Sequence, residues 1–168
     1  MEINNKSNVI IHEISSDDLC KIKSLWHDLY MEQVSMSPEL TLAIDAFDDW
    51  STSLGTILGR FGFVLLAEFD DVCCGFIAGR IKVPTPPFQS TPVGFISELY
   101  VEPSSRGLGI GKKLLDAAER WFRLNEIEAM ELQVVQANSS AYAFYQAVGW
   151  KVSLLHMTRL VSPEKRRS

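Results

Sequence analysis

The residues between Arg106 and Gly111 could bind an anion. They read Arg-Gly-Leu-Gly-Ile-Gly and lie between a strand-like segment that ends at Val101 and an amphipathic helix that starts near Lys112. Glycines let a backbone approach a ligand closely because they carry no Cβ atom. The first N–H groups of a helix lack intrahelical partners and favour negative charge, so this run predicts a phosphate site, strongest for a pyrophosphate.

The spacing of these glycines excludes two common phosphate-binding loops. A Walker A loop, Gly-x-x-x-x-Gly-Lys-Ser/Thr, would need its first glycine at Arg106 and its hydroxyl at Lys113. A dinucleotide fingerprint, Gly-x-Gly-x-x-Gly, would need its third glycine at Lys112. The chain instead contains Arg-x-x-Gly-x-Gly, formed by Arg106, Gly109 and Gly111.

A second motif follows this helix. It consists of Asn138, Ala141, Tyr145, Gly149 and Trp150. Together the two motifs resemble the GCN5-related N-acetyltransferase (GNAT) family, in which the first pattern is the acetyl-CoA pyrophosphate loop and the later residues recur in the same order. The resemblance covers about residues 60 to 160, and the residues before it carry no motif.

This resemblance implies a fold, a cosubstrate and a binding site. The implied fold is α/β: a mixed, mostly antiparallel sheet with splayed parallel fourth and fifth strands, flanked by helices, with CoA in the gap. Acetyl-CoA would be the cosubstrate, and no metal is expected. At the matching positions, the resemblance places these residues in the acetyl-CoA site: Leu99, Tyr100, Val101, Arg106, Gly107, Leu108, Gly109, Ile110, Gly111, Lys112 and Asn138.

Acetyl transfer from a thioester to an amine needs a neutral amine, a stabilised oxyanion and a proton for the leaving thiolate. An alkyl amine has a pKa of ~10.4, so a base or a water chain must accept a proton at neutral pH. A backbone N–H near Tyr100 in the fourth strand could hold the oxyanion. The family pattern nominates Tyr145 as the proton donor to the thiolate.

Glu98 is the candidate base. It is the only charged residue between Phe95 and Val101, and an unpaired carboxylate inside a buried strand is costly, so it has a function or faces solvent. The resembled family often places a basic carboxylate in this strand, at varying positions, and Ser97 occupies one of them here. Because alternation separates Glu98 from Ser97, a bulge would decide which of them faces the cleft. We expect Tyr145 and Glu98 to be catalytic, with a water chain near Ser97 as the alternative base.

Structural roles compete with three of these assignments. Tyr145 could be a core tyrosine on an apolar helix face. Asn138 could be only the N-cap of the helix that follows it, although we expect it both to cap and to approach CoA. Lys112 and Lys113 could both be solvated charges, or one of them could touch a phosphate.

The hydrophobic pattern predicts the elements that position these residues. Strands are predicted over residues 9–14, 63–69, 74–83, 93–101, 130–135 and 150–160. Helices are predicted after a Ser15 or Ser16 cap, over 43–58, from near 112, and over 139–148 with Gly149 as its C-cap. The third helix is predicted to bury Ile110, Leu114, Ala117, Ala118, Trp121 and Leu124. Asp70-Asp71 is predicted to turn a hairpin, and the proline-rich residues 84–92 to form a loop near the substrate mouth.

The composition predicts one domain over residues 1–163 and a loose tail over 164–168. The net charge of -5 disfavours nucleic acid as a partner and weakly favours a cationic substrate. Three cysteines without metal or disulfide spacing fit a reducing cytoplasm, and no apolar run suggests a signal peptide or a membrane span. Cys73 and Cys74 lie away from the motifs, so a covalent intermediate is not expected.

We therefore expect a cytoplasmic, acetyl-CoA-dependent N-acetyltransferase that transfers the acetyl group directly to an amine acceptor. Two alternatives stay open: transfer of a longer acyl group, and a non-catalytic CoA-binding or interaction module. The expected partner is a small-molecule amine or a protein amine, with neither nucleic acid nor membrane involved. A homodimer is compatible with the resemblance. The sequence leaves the identity of the acceptor, the acyl length, the base and the oligomeric state open.

Overall fold

The computed structural model describes residues 9–37, 39–83 and 91–159. Among these, the residues up to Asn138 form one compact unit and those from Ser139 form a second. The single domain over residues 1–163 therefore stays a prediction. Most of the predicted proline-rich loop, at 84–90, and the predicted tail at 164–168 lie outside the described residues.

The first unit is built on a mixed sheet of five strands in the order β1-β2-β3-β4-β5 among the described residues. Its strands are β1 (Val9–Glu13), β2 (Gly62–Phe69), β3 (Val72–Lys82), β4 (Val93–Val101) and β5 (Met130–Leu132). The first three pairings are antiparallel, and β4 pairs with β5 in parallel. This topology confirms the mixed, mostly antiparallel α/β sheet expected from the sequence.

The hairpin between β2 and β3 forms at the predicted turn. Asp70 and Asp71 have φ angles of 49° and 62°, both left-handed. Two consecutive left-handed residues match the twist of the flanking strands in a two-residue hairpin, and aspartate tolerates this conformation better than most residues. The turn therefore pairs Phe69 with Val72, and a register shift follows between Ala67 and Glu68.

Helices cover the sheet. The first unit contains a 3₁₀ helix (Ser16–Ile22), α1 (Lys23–Met36), α2 (Ala46–Gly55), a 3₁₀ turn (Pro103–Ser105) and α3 (Ile110–Leu124). Ser15 occupies the predicted N-cap position, but it caps a 3₁₀ helix and its hydroxyl donates to the Asp18 carboxylate at 3.2 Å instead of accepting from the backbone. The position of the predicted cap is therefore correct, but the expected hydrogen bond from the backbone to the Ser15 side chain is absent.

The two faces of the sheet bury different helices. On one face, residues of β2, β3 and β4 pack with the first 3₁₀ helix, α1 and α2; this core contains Ile22, Leu25, Trp26, Leu54, Val64, Leu66, Phe76, Ala78 and Tyr100. On the other face lies α3, whose Phe122 ring is 5.3 Å from the Phe63 ring, centroid to centroid. A Cβ atom at Gly94 would lie 2.7 Å from the Phe122 ring, so β4 approaches α3 closely at this glycine.

The predicted buried face of α3 is wrong at Leu124. Leu124 is 85% exposed, whereas Phe122, which the prediction omitted, is 1% exposed. Leu124 is two positions after Phe122, about 200° around an α-helix, so it points away from the sheet. The helix also ends at Leu124. The other predicted residues of this face, from Ile110 to Trp121, are buried or half-buried.

The predicted last strand is absent from the described residues 150–159, which pair with no strand there. Residues 151–159 are exposed, including Leu154 and Met157. An alternating apolar pattern forms a strand only where a neighbouring strand supplies hydrogen-bond partners. The predicted fifth strand is shortened for the same reason, because its pairing ends at Leu132.

Candidate active site

The edge of β4 opens where its partner ends. The parallel pairing with β5 joins Gly94 to Met130 and ends with Ile96 opposite Leu132, whereas β4 continues to Val101. Within the described part of the chain, no strand pairs with residues 97–101 on the β5 side. This is the splay expected from the resemblance. It leaves the stretch that contains Leu99, Tyr100 and Val101 at an open sheet edge, where backbone groups can meet a ligand.

The glycine run forms the predicted loop directly before α3. Gly107 and Gly109 have left-handed φ angles of 80° and 77°, and Gly109 is the N-cap of α3. Among the described residues other than the chain neighbours, no heavy atom lies within 4 Å of where a Cβ would be at either glycine. A side chain at either position would be strained by its φ angle and would fill the space in front of the loop.

The amide groups of this loop are not consumed by the helix. The first helical hydrogen bond runs from the N–H of Lys113 to the carbonyl of Gly109, at 3.1 Å. Among the described residues, no backbone N–H from Gly107 to Lys112 donates to another backbone group. Together with the positive end of the α3 dipole, these donors form a site that fits a pyrophosphate.

Two basic residues flank the loop, and both have protein partners. The Arg106 guanidinium donates through Nε to the Val101 carbonyl at 2.8 Å and through Nη2 to the Glu32 carboxylate at 2.7 Å. It therefore ties the start of the loop to the end of β4 and to α1. Lys112 pairs with Asp116 one turn along α3, at 2.8 Å. Contact of either residue with phosphate stays a prediction.

A β-bulge decides the direction of Glu98. Glu98 lies opposite Ala78, but Ile96 lies opposite Gly79, so Ser97 is an extra residue in β4. Before the bulge, Gly94 faces α3; beyond it, Tyr100 packs in the α1 and α2 core. Strict alternation would have kept these even-numbered positions on one side. The extra residue therefore turns Glu98 toward α1 and α2, so the bulge proposed from the sequence is present.

Glu98 is buried and held from one side. It is 5% exposed, and its Oε1 accepts hydrogen bonds from Tyr30 Oη at 2.8 Å and from Trp50 Nε1 at 2.9 Å. Its Oε2 is buried and has no hydrogen-bond partner among the described residues. The neighbouring Ser97 hydroxyl donates to the Ala78 carbonyl at 3.4 Å. Among the described residues, only one of the two carboxylate oxygens therefore accepts hydrogen bonds.

Burial raises the pKa of the Glu98 carboxyl, while the Ser97 side chain, the Tyr30 and Trp50 hydrogen bonds and the charge of Arg80 act in the opposite direction. Burial also raises the pKa of the Tyr30 phenol, and the neighbouring Glu98 charge adds to this shift. The phenol therefore stays a donor at neutral pH. A carboxyl with a raised pKa is better matched to proton transfer near neutral pH than an exposed one.

The sequence does not identify Tyr30 and Trp50 as partners of Glu98. They are separated from it by 68 and 48 residues, so no local motif joins them. One signal was available: tyrosine and tryptophan on apolar helix faces usually find a polar partner when buried. Glu98, the only charge in its strand segment, was the natural candidate for that partner.

The second unit contains the later motif. Its helix, α4 (Ser139–Ala147), matches the predicted one, and Gly149 follows it with a φ angle of 95°. The Tyr145 ring lies 5.9 Å from the Trp150 ring, centroid to centroid, and the Trp150 N–H donates to the Tyr145 carbonyl at 3.0 Å. Burial raises the pKa of Tyr145 to about 12, so its phenol is protonated at neutral pH.

Asn138 directly precedes α4 in the sequence, and its N–H donates to the Val135 carbonyl at 2.8 Å. Its approach to CoA and the role of Tyr145 as a proton donor stay predictions. A cavity of about 690 Å³ lies at the other end of α3, lined by Phe122, Glu126 and Met130 among others. It is therefore separate from the glycine loop.

Two further findings concern the described residues alone. They include no group of three or more His, Cys, Asp and Glu side chains that could hold a metal ion. Nor do they include a helix long and apolar enough to cross a membrane.

Comparison with known proteins agrees with this geometry. The chain is 37% identical over 82 residues to an uncharacterized N-acetyltransferase of Archaeoglobus fulgidus, covering 49% of this chain and 55% of that protein. It is 27% identical over 110 residues to an aminoglycoside N(6')-acetyltransferase type 1 of Stenotrophomonas maltophilia, covering 65% and 71% of the two chains.

The fold also matches solved structures. AAC(6')-Iy in complex with the bisubstrate analogue CoA-S-monomethyl-acetylneamine superimposes with a TM-score of 0.71 at 22% identity, over 95% of this chain and 99% of that one. The pattern of the Acetyltransferase (GNAT) family matches residues 22–150, which include β4, the glycine loop and the second motif. The chain therefore belongs to the GNAT family of acetyltransferases.

Proposed function

We propose that this protein transfers the acetyl group of acetyl-CoA directly to an amine of a small molecule. The observation that carries this proposal is the open edge of β4 beside the glycine loop. The pairing with β5 ends at Ile96, and the loop that begins five residues after Val101 presents its unused N–H groups at the start of α3. This arrangement suits a ligand that has both a thioester and a pyrophosphate.

Acetyl-CoA would be bound through its pyrophosphate and its thioester. The loop N–H groups from Gly107 to Lys112 would hold the pyrophosphate, and the backbone of β4 near Tyr100 would meet the thioester carbonyl. Leu99 and Val101 share this open stretch, and Asn138 is proposed to contact CoA as the family pattern implies. Fixed backbone donors of this kind stabilise a developing oxyanion without reorganisation.

Glu98 is the proposed base. The substrate ammonium first loses one proton, which passes to Glu98 Oε2. The neutral amine nitrogen then attacks the carbonyl carbon, the tetrahedral oxyanion forms and the C–S bond breaks. The nitrogen gives its second proton to the leaving thiolate, so the products are an amide and the CoA thiol. Because that oxygen is buried, a bridging water is proposed to carry the proton to Glu98. A water chain near Ser97 that acts without Glu98 stays the alternative base.

Tyr145 is proposed to donate to the sulfur of the leaving group. A phenol with a pKa of about 12 is a weaker acid than a thiol, whose pKa is roughly 8.5. It therefore stabilises the developing thiolate mainly by hydrogen bonding, and the full proton can come from the attacking nitrogen. Its removal should slow the transfer step more than the binding of acetyl-CoA.

The acceptor is proposed to be a cationic small-molecule amine. Between Lys23 and Arg60 the chain has six acidic residues and neither lysine nor arginine. Among the described residues, Glu32 and Asp48 form ion pairs with Arg106 and Lys23, whereas Glu39, Asp45 and Asp49 form none. This acidic surface would attract a polyamine or an aminoglycoside, the latter being the substrate named for the relative from Stenotrophomonas maltophilia.

A screen of acceptors tests the proposal. Purified protein is incubated with acetyl-CoA and with neamine, spermidine, a monoamine or a lysine-containing peptide, and free CoA thiol is measured. We expect amine-dependent thiol release, largest with the polycationic amines. Binding of acetyl-CoA without release for any acceptor would support the non-catalytic alternative, and a preference for propionyl-CoA would support a longer acyl donor.

Cytoplasmic location and a homodimer belong to the same proposal. The free thiols of Cys20, Cys73 and Cys74 suit a reducing compartment. Sedimentation of the purified chain tests whether it forms a dimer.

A further inference from the structure

The two oxygens of the Glu98 carboxyl group have different surroundings. Oε1 accepts two hydrogen bonds, from Tyr30 in α1 and Trp50 in α2, whereas Oε2 accepts none from the described residues. Because a carboxylate oxygen has two lone pairs, these two donors occupy Oε1 fully. A proton acceptor is therefore left only at Oε2.

Packing fixes both donors. The rings of Tyr30 and Trp50 belong to one aromatic cluster around Trp26, with centroid distances of 4.3 Å from Trp26 to Tyr30 and 5.7 Å from Trp26 to Trp50. Phe47 closes the cluster at 5.7 Å from Trp50. Because Tyr30 lies on α1 and Trp50 lies on α2, both hydrogen bonds form only when the Glu98 side chain places Oε1 between the two donors.

We propose that Tyr30 and Trp50 are positioning residues of the acetyl transfer, which hold Glu98 through Oε1 so that Oε2 accepts the proton of the amine. This inference rests on the proposed role of Glu98 as the base. Neither residue needs to touch substrate. Their function is to keep a buried carboxylate both oriented and ionisable, because hydrogen bonds to the charged form favour it over the neutral acid.

The neighbouring Ser97 side chain also favours the ionised form of Glu98, and it is unchanged in every variant of the test below. Among the described residues, two charged or titratable side chains act on Glu98: Tyr30 from α1 and Arg80 from β3. From α2 comes the Trp50 indole, which does not titrate in this range. Burial disfavours the ionised carboxylate, and the hydrogen bonds offset part of this cost. Removal of a donor therefore makes ionisation of Glu98 less favourable. Loss of one hydrogen bond to the charged form should therefore raise the pKa of Glu98 further.

The test combines a direct titration with kinetics. Tyr30→Phe and Trp50→Phe each delete one donor and keep an aromatic ring. Trp26→Phe is the matched control, because the buried Trp26 Nε1 in the same cluster has no hydrogen-bond partner among the described residues. The glutamate carboxyl carbons are labelled with ¹³C and titrated by NMR, with Glu98 assigned by its disappearance in Glu98→Gln.

We expect the Glu98 titration to move clearly to higher pH in Tyr30→Phe and Trp50→Phe, and to move less in Trp26→Phe, which makes one ring of the cluster smaller but deletes no donor to Glu98. The acid limb of kcat/KM for neamine should move with it, while the KM for acetyl-CoA stays unchanged. An unmoved titration in Tyr30→Phe, which keeps its ring and so its packing, would overturn the proposal.

A titration that moves while the kinetic limb does not would also overturn it, since Glu98 would then not be the base. If no amine is acetylated at all, the proposed function fails. The NMR titration then still shows whether the two donors control Glu98, so the two failures are distinguishable.

Discussion

Replacing Glu98 by glutamine should stabilise this protein at alkaline pH while slowing its reaction. Burial raises the pKa of Glu98, so its ionisation costs the folded state free energy. Glutamine resembles the protonated carboxyl. Its carbonyl oxygen can still accept hydrogen bonds from Tyr30 and Trp50, and its NH2 group takes the place of Oε2, which has no hydrogen-bond partner among the described residues. The variant therefore keeps the contacts and removes the charge.

The pH dependence follows from the direction of the shift. A group whose pKa is raised on folding contributes stability that is fully present below its unfolded pKa, about 4.3 for glutamate, and that is lost as the pH rises through the folded value. Near pH 4 wild type and Glu98→Gln should unfold at similar temperatures. Above the folded pKa, the variant gains about 1.4 kcal/mol for each unit by which folding raises that pKa.

This difference is measurable by thermal unfolding. For a domain of this size about 1 kcal/mol corresponds to roughly 2–4 °C in Tm. Tm is recorded from pH 4 to pH 9 for wild type, Glu98→Gln and the surface control Glu119→Gln, which removes only an exposed ion pair with Arg123 and should change stability by less than about 1 kcal/mol. A Glu98→Gln variant with no gain in Tm at pH 9 would refute the burial cost of the carboxylate.

Three further predictions concern the loop, the phenol and the α3 face. Gly109→Glu should abolish the rise in Tm that acetyl-CoA causes, because a charge would fill the pyrophosphate position; Gly59→Glu, with a similar φ angle of 73° and equally open surroundings, should keep that rise. Tyr145→Phe should lower kcat by roughly ten- to a thousandfold and leave the Kd of acetyl-CoA nearly unchanged, and a weakened Kd at normal kcat would make Tyr145 a packing residue. By chemical denaturation, Phe122→Ala should cost about 3–5 kcal/mol and Leu124→Ala less than about 1 kcal/mol, and equal costs would contradict their burial.

Local patterns in the sequence predicted the elements that local interactions determine. The bounds of β4 and the turn at Asp70 and Asp71 depend on hydrophobic alternation and turn chemistry within a few residues. The glycine loop likewise depends on backbone conformations that glycine adopts easily. The parallel pairing of β4 and β5 came from the family resemblance, since spacing alone does not choose a strand partner.

Contacts between distant segments account for what the sequence left open. The partners of Glu98 lie on α1 and α2, far from β4 in the chain, and the bulge at Ser97 became visible only in the register with β3. The predicted strand over 150–160 failed for a related reason. Its alternating apolar residues give no information on whether a pairing partner is present.

The most direct test of the central claim follows the acetyl group itself. Acetyl-CoA with an isotopically labelled acetyl carbon is incubated with neamine and either wild type or Gly109→Glu, and the label is located by mass spectrometry. We expect label on an amine of neamine in the wild-type reaction, with one CoA thiol released for each amide formed, and almost none with Gly109→Glu. Label that stays on CoA, appears on the protein, or is released as acetate without an amide would contradict direct transfer at this site.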